Sequence, residues 1–122
     1  MPRSRPEAQD FLPLPIAEFH VLVALAAGAR HGYAIMSEVE ARTDGAVRMG
    51  PGTLYGALKR MAARALIEEG DPPRDDPSPD DRRLYYRATP LGREVLQAEV
   101  QRMEACVAMV RRTRLVSRPG VA

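Results

Sequence analysis

The sequence predicts a mainly α-helical chain with a small β-hairpin (α+β): three short helices, the hairpin and a long C-terminal helix. Three observations lead there. Apolar residues recur at helical spacing in three stretches before residue 66. RRLYYRA at 82–88 alternates instead, as a half-buried strand does. From Leu91 to about Val116 there is no proline, and Gly92 is the only glycine.

The elements follow in order. MPRSRPEAQD at the N-terminus has charge and prolines but no apolar stretch, so residues 1–15 read as a loose segment without a leader. Ile16, Phe19, Leu22, Val23 and Ala26 mark a first helix that stops at Gly28. Glu18 and His20 interrupt its apolar run, which is too short to span a membrane. GARHG reads as a turn. A second helix follows from about Tyr33 to Arg42, with Tyr33, Met36 and Val39 on one side, and TDG at 43–45 ends it. Pro51 suits a first helical position, because its fixed φ fits and its missing N–H costs nothing there. Leu54, Leu58, Met61 and Ala65 then give the third helix its apolar stripe.

LIEEG at 66–70 reads as a short strand, and PPRDDPSPDD at 72–81 as a loop. In the second strand, Leu84, Tyr86 and Ala88 point to one side and Arg83, Tyr85 and Arg87 to the other, so Tyr86 belongs to the core and Tyr85 to the surface. Thr89 caps the long helix, with Pro90 at its first position. Three helices followed by a hairpin is the winged helix-turn-helix arrangement, whose third helix enters the DNA major groove.

Net charge is only +2, so distribution matters more than the total. No acidic residue occurs from Gly45 through Ile67, while Arg48, Lys59, Arg60 and Arg64 do. Thr53, Gly56, Lys59, Arg60 and Arg64 lie off the apolar stripe. Gly56 and Ala57 are small enough for close approach to a large partner. A solvated basic face is the plain reading of such a helix alone; inside the winged-helix order it reads as a DNA contact. Thr53, in the first turn, can meet a phosphate, and Lys59 and Arg60 supply point-charge and forked contacts. The Tyr55 hydroxyl can reach a phosphate, or its ring can pack where the second and third helices meet.

HGYAI (31–35), GPGTLYGALKRM (50–61), LIE (66–68) and RRLYYRATPLGREVL (82–96) resemble the PadR-type transcriptional regulators over roughly residues 16–100. The resemblance implies a dimeric bacterial repressor, cytoplasmic and nucleoid-associated, that binds double-stranded operator DNA. It implies that Thr53, Tyr55 and Lys59 lie at the DNA, with wing residues near Arg82 and Arg83. Two departures stand out. Glycine replaces the common serine at position 50, and the wing carries Asp71, Asp75, Asp76, Asp80 and Asp81 where family wings are often basic. An aspartate-rich tip is repelled by phosphates, so only the wing base is expected at DNA; otherwise the tip meets a basic surface elsewhere or lowers non-specific affinity. A winged-helix protein-interaction module with little DNA binding is the alternative function.

Leu96, Val100, Met103, Val107 and Val110 follow a heptad seam on the long helix. At about 39 Å that helix overhangs a small winged domain, so the seam is expected to pair two copies. Ile16 and Phe19 are candidates to join that interface. Cys106, the lone cysteine, lies beside the seam and reads as a buried inert thiol rather than a redox switch. Arg111, Arg112, Arg114 and Arg118 read as a solvated tail that favours the helix dipole. His31 reads as a structural hydrogen-bonding residue. No metal-ligand spacing, phosphate loop or nucleophile–base pair points to a metal, a cofactor or an enzyme. Relatives imply a small-molecule effector; with no tryptophan and few aromatic residues, an aromatic-stacking drug pore is not indicated. The expected organisation is a loose segment at 1–15, a winged domain at 16–88, a dimerisation helix at 89–116 and a tail at 117–122.

Overall fold

The computed structural model describes residues 6–74, 76 and 83–115. A short 3-10 turn at Ala8–Phe11 precedes α1 (Ile16–Leu25), β1 (Arg30–His31), α2 (Gly32–Arg42), α3 (Pro51–Ala63), β2 (Ile67–Gly70), β3 (Tyr85–Ala88) and α4 (Pro90–Arg112). The expected order is present, with one addition: GARHG contains β1, which makes the sheet three-stranded in the order β1-β3-β2. Both pairings are antiparallel; Arg30 faces Tyr86, and Glu68 faces Arg87. Two residues leave no periodicity to read, so β1 looks like a turn in the sequence.

Residues 8–14 are not loose. Phe11 and Leu14 are buried in the core. Leu14 N–H donates to the Glu99 carboxylate of α4 at 2.7 Å. A polar segment carrying two apolar anchors docks as soon as its backbone finds a partner.

The buried residues of α1 are Glu18, Val21, Leu22, Ala24 and Leu25, while Ile16 and Ala26 are exposed. This is not the expected stripe. The helix is apolar almost all round, so periodicity cannot choose the face; packing against α2, α3 and α4 does. In α2 the core residues are Ile35 and Val39, and Tyr33 projects outward. In α3 they are Leu54, Ala57, Leu58 and Met61. Ala65 is not on that stripe. It lies beyond the helix, exposed, with a left-handed backbone (φ 61°) that reverses the chain. The Leu66 N–H then donates to the Met61 carbonyl at 2.9 Å, closing the helix end.

The hairpin faces are mixed. Ala88 is buried and Tyr86 packs partly on the core, as expected. Leu84 is exposed, however, and Tyr85 is buried outside the main core. Tyr85 is covered by His31, whose ring meets it edge-on at 5.3 Å, and its hydroxyl donates to Asp76. His31 of β1 and Asp76 thus cover a face that an isolated hairpin would leave wet.

The β3–α4 junction rests on α3. Thr89 Oγ1 accepts from Gly92 N–H at 3.0 Å, the expected cap, and donates to the Ala65 carbonyl at 2.5 Å. Gly92 lies so close to α3's end that a Cβ there would sit 2.1 Å from the Leu66 carbonyl oxygen. α4 runs 23 residues, about 34 Å, and most of its C-terminal half is exposed, including Val100, Met103, Val107, Met109 and Val110. Cys106 is exposed for the same reason, not buried as expected.

Candidate nucleic-acid interface

The N-cap of α3 is Gly50, which leaves the helix N-terminus without a side-chain cap, and Pro51 follows at its first position. At about 100° per residue, Gly52, Gly56, Lys59 and Ala63 share the side opposite the buried residues. Three of these four are glycine or alanine, so a partner can come close to the backbone there. Thr53, Arg60 and Arg64 form one flank of that face, and Tyr55 lies on the other. Thr53, Lys59, Arg60 and Arg64 are all exposed. Ala57, expected outside with Gly56, is core.

Tyr55 is half-exposed, and its ring lies across the start of α2. A Cβ on Gly32 would sit 2.5 Å from its hydroxyl. The junction reading of Tyr55 therefore holds, and half of the ring still faces solvent. With His31, Gly32, Tyr33, Arg83 and Leu84 it lines a cleft of about 290 Å³ between α3 and the hairpin.

His31 is the N-cap of α2: Nδ1 accepts from Ala34 N–H at 3.1 Å. Its Nε2 is 3.1 Å from Arg83 Nη1. A neutral imidazole has one acceptor nitrogen, so the cap and Arg83 compete for it. Burial holds the His31 pKa below its usual value; nearby Arg83 adds to this and Asp76 opposes it. This shift favours the neutral form, and Nδ1 accepts the Ala34 N–H bond only when it is unprotonated. Arg83 is exposed beside it. Arg82, the other expected wing contact, lies outside the described residues, as do Asp75, Asp80 and Asp81 of the acidic wing. Asp76 is turned inward to Tyr85.

The acid-free stretch is not acid-free in three dimensions. Arg48 pairs with Glu40 of α2 at 3.4 Å. Arg60 Nε and Arg64 Nη1 lie 3.7 and 3.6 Å from the two oxygens of Glu18, which is buried in α1. The Arg64 guanidinium also lies 4.6 Å above the Phe11 ring. Among the described residues, Lys59 has no ion-pair partner. Glu18 was the residue to notice in the sequence: a carboxylate inside an apolar helix needs a cation, and Arg60 and Arg64 are four apart on one helix face. Among the described residues no helix is long and apolar enough to cross a membrane.

A three-helix unit with a hairpin and an exposed small-residue face on its third helix meets a direct match. The family model for the transcriptional regulator PadR-like family covers residues 21–98. The chain belongs to the PadR-like family of transcriptional regulators. It is 41% identical over 87 residues to an uncharacterised 37.1 kDa transposon protein of Streptomyces fradiae, covering 71% of this chain and 23% of that protein. The chain spans less than two thirds of the length of the curated relatives it matches. Among solved structures, a transcriptional regulator from Clostridium thermocellum superposes with a TM-score of 0.67 at 24% identity, over 83% of this chain and 90% of that one. Bacillus subtilis PadR in complex with operator DNA superposes with a TM-score of 0.58 at 17% identity, over 70% of this chain and 47% of that one. These likenesses establish a shared fold, and in this PadR-like chain α3 holds the place of the third helix of the winged domain.

Proposed function

We propose that this PadR-like chain is a cytoplasmic, nucleoid-associated repressor that binds double-stranded operator DNA as a homodimer, with α3 in the major groove. The observation that carries the reading is the outward face of α3: Gly52, Gly56 and Ala63 are small, Lys59 stands among them without an ion pair among the described residues, and Thr53 and Tyr55 flank it. Bacillus subtilis PadR, which shares the fold, was solved in complex with operator DNA, and this supports DNA as the partner. Lys59 gives affinity, Thr53 and Tyr55 set register, and Arg83 at the wing base meets the backbone, with Arg82 beside it in sequence. Arg60 and Arg64 contribute from the flank while paired with Glu18.

Salt titration of binding to the chain's own promoter DNA tests this. Counterion release makes the affinity fall steeply with salt, and Lys59→Ala, which removes one lysine from each protomer, is expected to flatten the log–log slope by about 2. Salt-insensitive binding, with Lys59→Ala behaving as the parent, would refute the reading.

The exposed apolar side of α4 supports the dimer. Val100, Met103, Val107 and Val110 lie along the heptad seam with Leu96 half-buried at its start. Ile16 is exposed on α1 and Phe19 partly so. Light scattering is expected to give the mass of two chains, and Met103→Glu to shift it toward one. A parent protein that is monomeric at tens of micromolar, on the order of a modest interface's dissociation constant, would remove the dimer from the proposal.

A further inference from the structure

Two glutamates are each 2% exposed, and they are held differently. Glu99 accepts from Leu14 N–H and from Arg102 Nε. Among the described residues, Glu18 Oε1 is buried with no hydrogen-bond partner, and the carboxylate's ion pairs are with Arg60 and Arg64. A carboxylate at that depth cannot lose both cations, because an uncompensated buried charge is strongly destabilising. The arginines are therefore tethered, but their donors are not used up.

Arg60 turns Nε toward Glu18. Its Nη1 lies 3.3 Å from where a Cβ on Gly56 would sit. Gly56 belongs to the outward face of α3. The guanidinium thus bridges from a buried carboxylate to the outward face, across a position with no side chain. It has five N–H donors in a fixed fork, and the edge at Nη1 lies on the outward side.

We infer that Glu18 is a positioning residue for DNA contact: it fixes the Arg60 fork across Gly56, so that the terminal nitrogens meet a backbone phosphate in a preset orientation. The inference rests on the proposal that α3 meets DNA. It makes a demand opposite in sign to simple electrostatics. Neutralising Glu18 removes a negative charge from the DNA side, which alone would tighten binding. Loss of positioning weakens it instead, because a guanidinium free to rotate loses its alignment.

The experiment compares Glu18→Gln, Arg60→Ala, the double variant, Arg60→Lys and Lys59→Ala in DNA titrations, each checked by thermal melting. Glu18→Gln is expected to weaken binding on the order of tenfold, similarly on operator and scrambled DNA. The double variant is expected to bind no more weakly than Arg60→Ala. Arg60→Lys keeps the charge but loses the fork, and is expected to fall with Arg60→Ala. If Glu18→Gln binds as tightly as the parent or tighter while Lys59→Ala and Arg60→Ala weaken binding, Glu18 does not position Arg60 and the DNA reading of α3 survives. If neither Lys59→Ala nor Arg60→Ala weakens binding, the DNA reading fails and the inference with it. If only Arg60→Ala has no effect, the inference alone is lost. Should Glu18→Gln not fold, Arg60→Lys decides, because it sits on the surface: binding at the parent's level overturns the inference.

Discussion

Glu99→Ala isolates the contact that ties the N-terminal segment to α4. In the folded chain the carboxylate accepts from Leu14 N–H at 2.7 Å and from Arg102 Nε at 2.5 Å. Truncation leaves the protein two choices. If the segment stays docked, Leu14 N–H is buried without an acceptor, which costs about 1–3 kcal/mol. If it lifts away, Phe11 and Leu14 are exposed; each buried apolar side chain contributes about 1.5–3 kcal/mol, so release costs about twice that. Staying docked wins, and the expected loss is about 1–3 kcal/mol. Against a urea slope of about 1–3 kcal/mol/M, the midpoint falls by about 1 M. The assay is urea unfolding at fixed protein concentration, because a dimer's stability depends on it, with hydrogen exchange at the Leu14 amide. Glu99→Gln keeps an acceptor for Leu14 and is expected to lose less. Unchanged unfolding and unchanged Leu14 protection in Glu99→Ala would refute the account.

The same carboxylate makes a pH prediction with a definite sign. The Arg102 hydrogen bond holds the Glu99 pKa below its usual 4.5, with help from Leu14 N–H and against the opposing effect of burial. A group whose folded pKa is depressed stabilises the fold fully above its unfolded pKa, and that contribution disappears as pH falls through the folded pKa. Acid unfolding of the parent is therefore expected to include a Glu99 component below about pH 4.5, absent from Glu99→Gln.

Two further substitutions test the chain reversals. Gly92→Ala would place a Cβ 2.1 Å from the Leu66 carbonyl oxygen, a backbone atom that cannot swing aside; the β3–α4 junction must shift, and thermal melting is expected to show a loss of several degrees, unlike an exposed helical Gly→Ala change. Ala65→Gly relieves a left-handed residue (φ 61°); the left-handed conformation costs an L-residue about 1–2 kcal/mol, and the extra freedom of unfolded glycine returns about 0.4–1 kcal/mol, so a net gain of about 0.5–1 kcal/mol is expected, and a lowered melting temperature would contradict it.

The sequence carried its information in local signals. Thr89–Pro90 and Gly50–Pro51 announced their helices because capping and proline chemistry act within one turn. The α3 stripe at 54, 58 and 61 was legible because its polar face differs from its apolar one. α1 was not, because an all-round apolar helix is oriented by its neighbours. Ala65 kept the stripe's spacing after the helix had ended, and no alanine signals a left-handed turn. Tyr85 was misplaced because alternation identifies the two faces of a strand but not what covers each one. Arg60 and Arg64 were legible as cations; their partner lies more than 40 positions away in sequence, and only folding brings it there.

That last point changes what the basic helix is worth. Counted along the chain, Arg48, Lys59, Arg60 and Arg64 offer four uncompensated charges per protomer. Counted in space, Glu40 and Glu18 offset two of them. Each phosphate neutralised contributes about −0.9 to the log–log salt slope, so a dimer using all four charges from each protomer would show a slope near −7. With the offsets it should fall to about −4 before any wing contact is added. A local run of one sign is therefore weak evidence for nucleic-acid binding until the fold shows which of its charges already have partners. Here Lys59, which has no ion pair among the described residues, stands among small residues on the outward face of α3.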